Sequence, residues 1–436
     1  MIFPWKGKKV LIAGLGMLGG GVGVAKFFSE NYAKVTVTDL KTAKELKTSL
    51  DKLKKYKIRY ILGRHDEIDF KTHDLIIKNP AIPENSPYLQ VAKKAGTPIE
   101  MEASFFFMLT PSENIIGVTG TKGKTTTTLL IYKILKQAKY KTVVAGIPKH
   151  SLLAELKKVT NDTWVVVEFS SWQLESLTPH KISPHIAVLT NIFPDHLNRY
   201  KTFEDYVEAK KNIFKFQHSS DFLVTNFELE ITKKLANQAN SQIRFFSKKI
   251  LPQNILQSLK LAGNHNLQNL AAAYQVAKIL GISDQIIIQA VKDFNPIPNH
   301  LEFIRKYKGI SFINDTTATV PEASIAAIST ISKPVILLVG GADKNLDFTN
   351  LSKLINQKVK ALVLLQGSAT DKIEKEVRRE IIVGRFSDFK KAVKAAVKFA
   401  KFGDVILLSP AAASFGMFKN EFDRGEQFKA IVRGLE

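Results

Sequence analysis

The chain has 436 residues, 45% hydrophobic and 24% charged, the make-up of a globular protein long enough for about two to four domains. With no cysteine it can form no disulfide, no thiolate metal site and no cysteine nucleophile. Its 63 Lys and Arg against 40 Asp and Glu give a formal charge of +23; the lysines are scattered through helix-like stretches such as "KTAKELKTSLDKLKKYK" and "KKAVKAAVKFAKFG", a pattern of solvated faces that favours an anionic small substrate over nucleic acid.

In chain order, "MIFPWKGKKV" holds no extended apolar segment of the kind a secretory signal needs. The longest apolar runs, "PVILLVGG" and "GDVILLSP", fall far short of the roughly 20 residues required to cross a bilayer. A cytoplasmic protein with no membrane segment is expected. The first strand, "KKVLIAG", runs into "GLGMLGGGVG", which sets Gly14, Gly16 and Gly19 in the spacing G-x-G-x-x-G, and "KVTVTD" ends in Asp39, about 20 residues on. Such a loop holds a diphosphate and such an acid a ribose. A nucleotide-diphosphate substrate, NAD and a purely structural glycine turn all satisfy it. Strand-like and helix-like stretches alternate to "FFFMLTPSEN", where Pro111 marks a joint.

Next, "IIGVTGTKGKTTTTLL" reads as a buried strand, a glycine loop and a helix start. Loop amides and the helix N-terminus cradle anionic oxygens, and a lysine at the loop's end reaches the terminal phosphates. Those parts are Gly120, Gly123 and Lys124, with the Thr125 hydroxyl placed for Mg²⁺. Val118 stands where the strict pattern has its first glycine, but the order strand, loop, helix fits ATP. "WVVVEFSS" ends in Glu168, suited to a Mg²⁺ ligand. "HIAVLTNIFPDHLNRY" puts Asn191, Asp195 and His196 just past another strand, where open α/β sheets bind ligands.

Lys210, in "FEDYVEAKKNIFKF", reads most simply as a solvated helix lysine. Chemistry permits one alternative: held neutral, it can take up CO₂ as a carbamate whose oxygens bind metal. After the proline-rich "FNPIPNH", the last third offers four strands, in "ISFINDTTA", "PVILLVGG", "ALVLLQG" and "DVILLSP". Alternation throughout predicts an α/β protein, read as domains 1–111, 112–297 and 298–436.

Nine segments in order, "GLGMLGGG", "GVTGTKGKTTT", "VVEFSSWQLE", "TNIFPDHLNRY", "YVEAKKNIF", "AGNHNLQNLAAA", "INDTTAT", "GGADKNLDF" and "SPAAASFGMFKNEFDRG", resemble the Mur ligase family of ATP-dependent amide-bond ligases. The resemblance is to the branch that adds glutamate to UDP-N-acetylmuramoyl-L-alanine in peptidoglycan synthesis. It implies a Rossmann-like N-terminal domain for the UDP substrate, a P-loop central ATPase domain and a Rossmann-like C-terminal domain for the amino acid. A substrate carboxylate would attack the γ-phosphate of ATP, and the amine of glutamate would then displace phosphate from the acyl phosphate.

By the same resemblance, Gly120, Thr121, Lys122, Gly123, Lys124, Thr125 and Thr126 hold ATP, with Asn269 at the adenine and Asp315 at the ribose. Thr125, Glu168, His196 and a carbamate on Lys210 hold Mg²⁺, and Lys124, His196 and Lys210 serve catalysis. Gly14, Leu15, Gly16 and Asp39 take the uridine diphosphate, while Lys344, Ser414, Thr317 and Thr319 take the amino acid. A monomer acting on small molecules is expected. The chain departs from the family pattern at Ile147 (usually asparagine), Leu301 (arginine), Thr317 (lysine) and Glu421 (an aromatic, with Phe422 one step late). These keep L-glutamate addition and an inactive paralogue open as alternatives; an NAD-dependent oxidoreductase is more remote, because it leaves the second loop unexplained.

Overall fold

The computed structural model describes every residue except 1–4, 18, 148–149, 198, 259–262, 293 and 295–297. Three sheets organise the chain, each built from one continuous stretch. The first comprises β1 (Lys9–Ala13), β2 (Lys34–Asp39), β3 (Ile58–Leu62), β4 (Leu75–Lys78) and β5 (Ile99–Glu100), all parallel in the order β3-β2-β1-β4-β5. Val10, Leu11, Ile12 and Ala13 are buried in succession, as helices covering both faces of a parallel sheet demand. The order turns around at β1, whose carboxyl end therefore opens on a crevice.

The second sheet comprises β6 (Ile115–Thr119), β7 (Thr142–Ala145), β8 (Trp164–Glu168), β9 (Ile186–Leu189), β10 (Phe222–Asn226) and β11 (Gln242–Phe246), parallel in the order β11-β10-β9-β6-β8-β7. Because β6 pairs with both β8 and β9, the loops leaving those three strands meet at one end. The third comprises β12 (Glu302–Tyr307), β13 (Ile310–Asn314), β14 (Val335–Gly340), β15 (Val359–Leu365), β16 (Ile382–Phe386) and β17 (Val405–Leu408), in the order β12-β13-β17-β14-β15-β16 with β12 antiparallel. Successive residues of β14 point to opposite faces: Leu337 and Val339 pack in a core with Leu351 and Ile355, Ile336 and Leu338 in another with Phe389 and Phe428.

The chain divides into two compact units. Met1–Asn191, Val207–Ile250 and Asn269–Ala290 form the first, with the first two sheets; Ile192–Tyr206, Leu251–Gln268 and Val291–Glu436 form the second, with the third sheet. Within the first unit the helix Gly20–Glu30 comes so close to Ser151 that any side chain at Gly23 would collide with the hydroxyl. Phe107 also stacks on Phe169, ring centroids 6.0 Å apart.

The α/β class and three-sheet organisation agree with the sequence reading, but that reading left β3, β4, β5, β7, β11, β12 and β16 unnamed. β4 and β7 have only four residues and β5 two, while β3 and β11 have one buried position each and β12 and β16 none; all but β4 are sheet-edge strands. The segment "KTAKELKTSLDKLKKYK" is helical only over Lys47–Asp51. Upstream, Glu45 accepts hydrogen bonds from the Thr42 amide and hydroxyl, both 2.8 Å, a local closure that competes with helix. "KKAVKAAVKFAKFG" is helix as expected, Phe389–Phe399.

Candidate functional site

At the carboxyl end of β1, Gly14, Gly16 and Gly19 all have positive φ, 86°, 63° and 101°, a region that side chains disfavour. The helix Gly20–Glu30 then starts with no side-chain cap and no acid in its first turn, leaving its amides and positive dipole end available to an anion. The Asp39 carboxylate accepts the Gly16 amide at 3.0 Å with one oxygen and the Lys41 amide at 2.9 Å with the other. It therefore orients the loop as well as facing the expected ribose. Leu15 is fully buried.

The second loop is built more tightly. Gly120 has no room for a Cβ against Thr190, and at Gly123, φ 82°, a Cβ would strike the Asn269 side chain. Asn191 clamps the loop: its Oδ1 accepts the Lys122 amide and its Nδ2 donates to the Lys122 carbonyl, both at 2.9 Å, while its carbonyl accepts the Thr121 amide at 3.0 Å. Thr190 adds a 2.7 Å bond to the Lys122 carbonyl. The residue read as a ligand candidate, Asn191, is thus the scaffold of the loop. The helix Lys124–Gln137, carrying Thr125 and the buried Thr126, starts without a side-chain cap or acid. Lys124 folds its amine back onto the Gly120 and Thr121 carbonyls, 3.1 Å each, which puts a cation at the mouth of the cradle.

At the end of β8, Glu168 accepts the Thr125 hydroxyl at 2.7 Å. Burial pushes its pKa up, against the opposing pull of Lys124, the Thr125 hydrogen bond and Lys210; a divalent cation would favour its charged form further. Lys210 is no solvated lysine. It is 2% exposed, and its amine donates to the Gly120 carbonyl at 2.9 Å, with the Thr119 hydroxyl at 3.5 Å. The helix Phe203–Lys211 slides this cation under the phosphate loop. Among the described residues no three His, Asp or Glu side chains gather as a metal cage. The fit to Mg²⁺ rests instead on the Thr125 and Glu168 oxygens, the hard donors that ion prefers while keeping waters and phosphate oxygens as its remaining ligands. Asn269, on the helix Asn264–Ile279, is 5% exposed and accepts from Thr127 at 3.4 Å.

The remaining candidates lie in the second unit, where adjacent β13, β17 and β14 deliver them. Asp315 follows β13 and accepts the Ser409 hydroxyl at 2.8 Å and the Leu301 amide at 3.2 Å. Lys344, beyond β14, forms a 2.9 Å ion pair with Asp195 and lies 3.4 Å from the Thr319 hydroxyl. His196 has φ 57° and sits with its ring against Tyr206, centroids 6.1 Å apart. Ser414, beyond β17, is 5% exposed, and Thr317 donates to the Asn299 carbonyl at 2.9 Å. Glu421 opens the helix Glu421–Arg433, its carbonyl accepting the Thr316 hydroxyl at 2.8 Å. Leu301 packs against the β14 core. In the first unit, Ile147 accepts the His150 amide at 2.9 Å; its neighbours Pro148 and Lys149 lie outside the described residues.

Two residues that sequence reasoning passed over stand out. Arg424 is fully buried, donating to the Thr316 hydroxyl at 2.9 Å, the Thr316 carbonyl at 2.8 Å and the Ala412 carbonyl at 3.4 Å. It ties the loop after Asp315 to the loop bearing Ser414, and burial brings its pKa down to about 9. Glu102 is the second, a partly buried carboxyl that binds Ser151.

Comparison with known proteins follows these features. Residues 8–100 match "Mur ligase MurD-like, N-terminal domain", 118–256 match "Mur ligase middle domain" and 301–412 match "Mur ligase, glutamate ligase domain". The chain is 42% identical to the UDP-N-acetylmuramoylalanine--D-glutamate ligase of Roseiflexus sp. (strain RS-1), over 98% of this chain and 99% of that one. It is 36% identical to the enzyme of the same name from Acetivibrio thermocellus, over 99% and 97%. Among solved structures, UDP-N-acetylmuramate-alanine ligase from Thermotoga maritima shares the fold with a TM-score of 0.66 at 19% identity, over 98% of this chain and 99% of that one. The MurF ligase of Thermotoga maritima, solved in complex with ADP, gives 0.60 at 17%, over 99% and 96%.

Proposed function

Because the chain belongs to the Mur ligase family of ATP-dependent amide-bond-forming ligases, we propose that it joins D-glutamate to UDP-N-acetylmuramoyl-L-alanine in peptidoglycan precursor synthesis, releasing ADP and phosphate. The observation that supports this most is the second glycine loop: an anion cradle with Lys124 at its mouth, the Thr125 and Glu168 oxygens paired at 2.7 Å, and Lys210 beneath.

In this reading Gly120, Thr121, Lys122, Gly123, Thr125 and Thr126 line the phosphates of ATP, and Lys124 leaves its loop carbonyls to neutralise charge on the transferring γ-phosphoryl group. Asn269, held beside Gly123, takes the adenine. Asp315 takes the ribose. Thr125 and Glu168 would hold Mg²⁺, with Lys210 as its carbamate, and the ion would supply charge neutralisation at the phosphates when bound. The buried position of Lys210 supports the carbamate, since burial disfavours the charged amine and favours the neutral form that reacts with CO₂. Gly14, Leu15, Gly16 and Asp39 hold the uridine diphosphate. Lys344, Ser414, Thr317 and Thr319 hold glutamate, with Lys344 exchanging the Asp195 carboxylate for one of the substrate's. That exchange keeps the lysine ordered before glutamate binds.

D-Glutamate is favoured over the L isomer by the names of the relatives, despite Thr317 and Glu421. Domains at 1–111, 112–297 and 298–436 fit this division of labour; residue 297 lies outside the described residues. Among the described residues no helix is long and apolar enough to cross a membrane, which supports action on small molecules in the cytoplasm, and we expect a monomer. Incubation with ATP, Mg²⁺, UDP-N-acetylmuramoyl-L-alanine and D-glutamate should yield the UDP-linked dipeptide with one ADP and one phosphate per amide. Hydrolysis of ATP with no dipeptide would overturn the proposal.

A further inference from the structure

Glu102 opens the helix Glu102–Leu109 in the first unit, and it is partly buried. Oε1 accepts the Ser151 hydroxyl and the Leu153 amide, the latter at 3.1 Å. Ser151 is itself the N-cap of the helix Leu152–Glu155, accepting the Ala154 amide. The carboxylate therefore fastens the segment that follows Ile147. Its other oxygen faces the first glycine loop: a methyl group on Gly20 would lie 3.6 Å from Oε2. Gly20 is the first residue of the uncapped helix at that loop. Further along the same helix, Gly23 meets Ser151. At the other end of the segment, Gly146 packs so closely on the Glu168 backbone that no Cβ fits. One acid thus fastens the Ser151 segment and lies beside the turn that would hold the diphosphate.

We propose that Glu102 is a positioning residue for the substrate diphosphate: it fastens the Ser151 segment beside the first turn of the helix Gly20–Glu30 and takes up a proton when the anion docks there. This rests on the reading of the first glycine loop as the diphosphate site. A carboxylate beside a helix N-terminus competes electrostatically with an incoming diphosphate, and protonation removes the competing charge. Burial already pushes the pKa of Glu102 up to about 7, opposed by hydrogen bonds from Ser151, Leu153 and Leu152. The charged groups on the elements around it are Lys26 and Glu30 on the helix Gly20–Glu30, Glu155 paired with Lys158 and near His150, Glu175 on the helix Ser171–Glu175, and Glu100 paired with His180. None is among the causes of the Glu102 shift, so an arriving anion is the main charge it would sense.

The test is calorimetric titration with UDP-N-acetylmuramoyl-L-alanine, without ATP, at pH 7.5 in buffers of different ionisation enthalpy. No group of that substrate titrates near neutral pH. If the anion raises the Glu102 pKa by about one unit, uptake is about half a proton per substrate bound. It should vanish in Glu102→Gln. Binding with no uptake between pH 6 and 9, a measurement that needs no variant, overturns the proposal; so does uptake that persists in Glu102→Gln. Absence of binding would instead overturn the reading of the first loop, and the proposal with it.

Discussion

Gly123→Ala is the sharpest probe of the second loop. Its φ of 82° costs a residue with a Cβ about 1–2 kcal/mol. The new methyl group would also collide with Asn269 Oδ1 and lie 3.0 Å from Cγ, where an ordinary carbon contact is about 3.5–4.0 Å. The Asn269 Oδ1, 2.1 Å from the new methyl group, must therefore retreat by more than about 1 Å, and a displacement of that size at a positioning group can cost about 100-fold in rate. Strain and repacking together should lower stability by about 2–3 kcal/mol, which in a unit of this size moves the unfolding midpoint by roughly 5–10 °C. The assay is ATP-dependent phosphate release at saturating UDP substrate and glutamate, with thermal unfolding in parallel. The expected pattern is a KM for ATP raised at least tenfold, with the KM for the UDP substrate unchanged. Wild-type ATP kinetics together with a wild-type midpoint would refute both the clash and the placement of adenine at Asn269.

Four further outcomes are expected. Lys124→Ala should abolish phosphate release while the protein still unfolds cooperatively, because it deletes the cation at the cradle without disturbing the Asn191 clamp. Lys210→Ala should be inactive but partly recovered by added formate or acetate, whose oxygens replace those of the carbamate; full activity without them would exclude the modification. Thr125→Val should raise the Mg²⁺ concentration needed for half-maximal rate by about tenfold, since one charged-group hydrogen bond or ligand is worth about 1.5–3 kcal/mol. Finally, the native Glu102 carboxyl, with its pKa near 7 against 4.5 when unfolded, holds its proton more tightly than the unfolded chain does. Its contribution to stability is fully present below pH 4.5 and is lost as pH rises to about 7, a change of about 3 kcal/mol. Denaturant unfolding from pH 4.5 to 8 should show this decline in the wild type and a flatter profile in Glu102→Gln.

What the sequence made legible follows from how directly residue type reports environment. The runs "VLIA", "IIGVT", "WVVVE" and "VILLVG" are buried on both faces, so their apolar continuity gave away β1, β6, β8 and β14. The two glycine loops were legible because only glycine tolerates their conformations and contacts. Edge strands such as β12 alternate like loops and stayed hidden. The burial of Lys210, and the places of Arg424 and Glu102, were hidden for a different reason: each is a charged side chain in a helix, and what surrounds it comes from far along the chain, as with Gly120 around Lys210 or Thr316 around Arg424. No local pattern separates such a residue from a solvated one. The clamp by Asn191 was legible as a polar residue at a strand end, while its role as scaffold needed the pairing of β6 with β9.

The most direct test of the central claim is phosphate release from ATP with Mg²⁺ and UDP-N-acetylmuramoyl-L-alanine, run in parallel with D-glutamate, L-glutamate and no amino acid. Release that depends on D-glutamate and is matched by dipeptide formation is the expected result. Equal or greater turnover with L-glutamate, or none with either isomer, would contradict it.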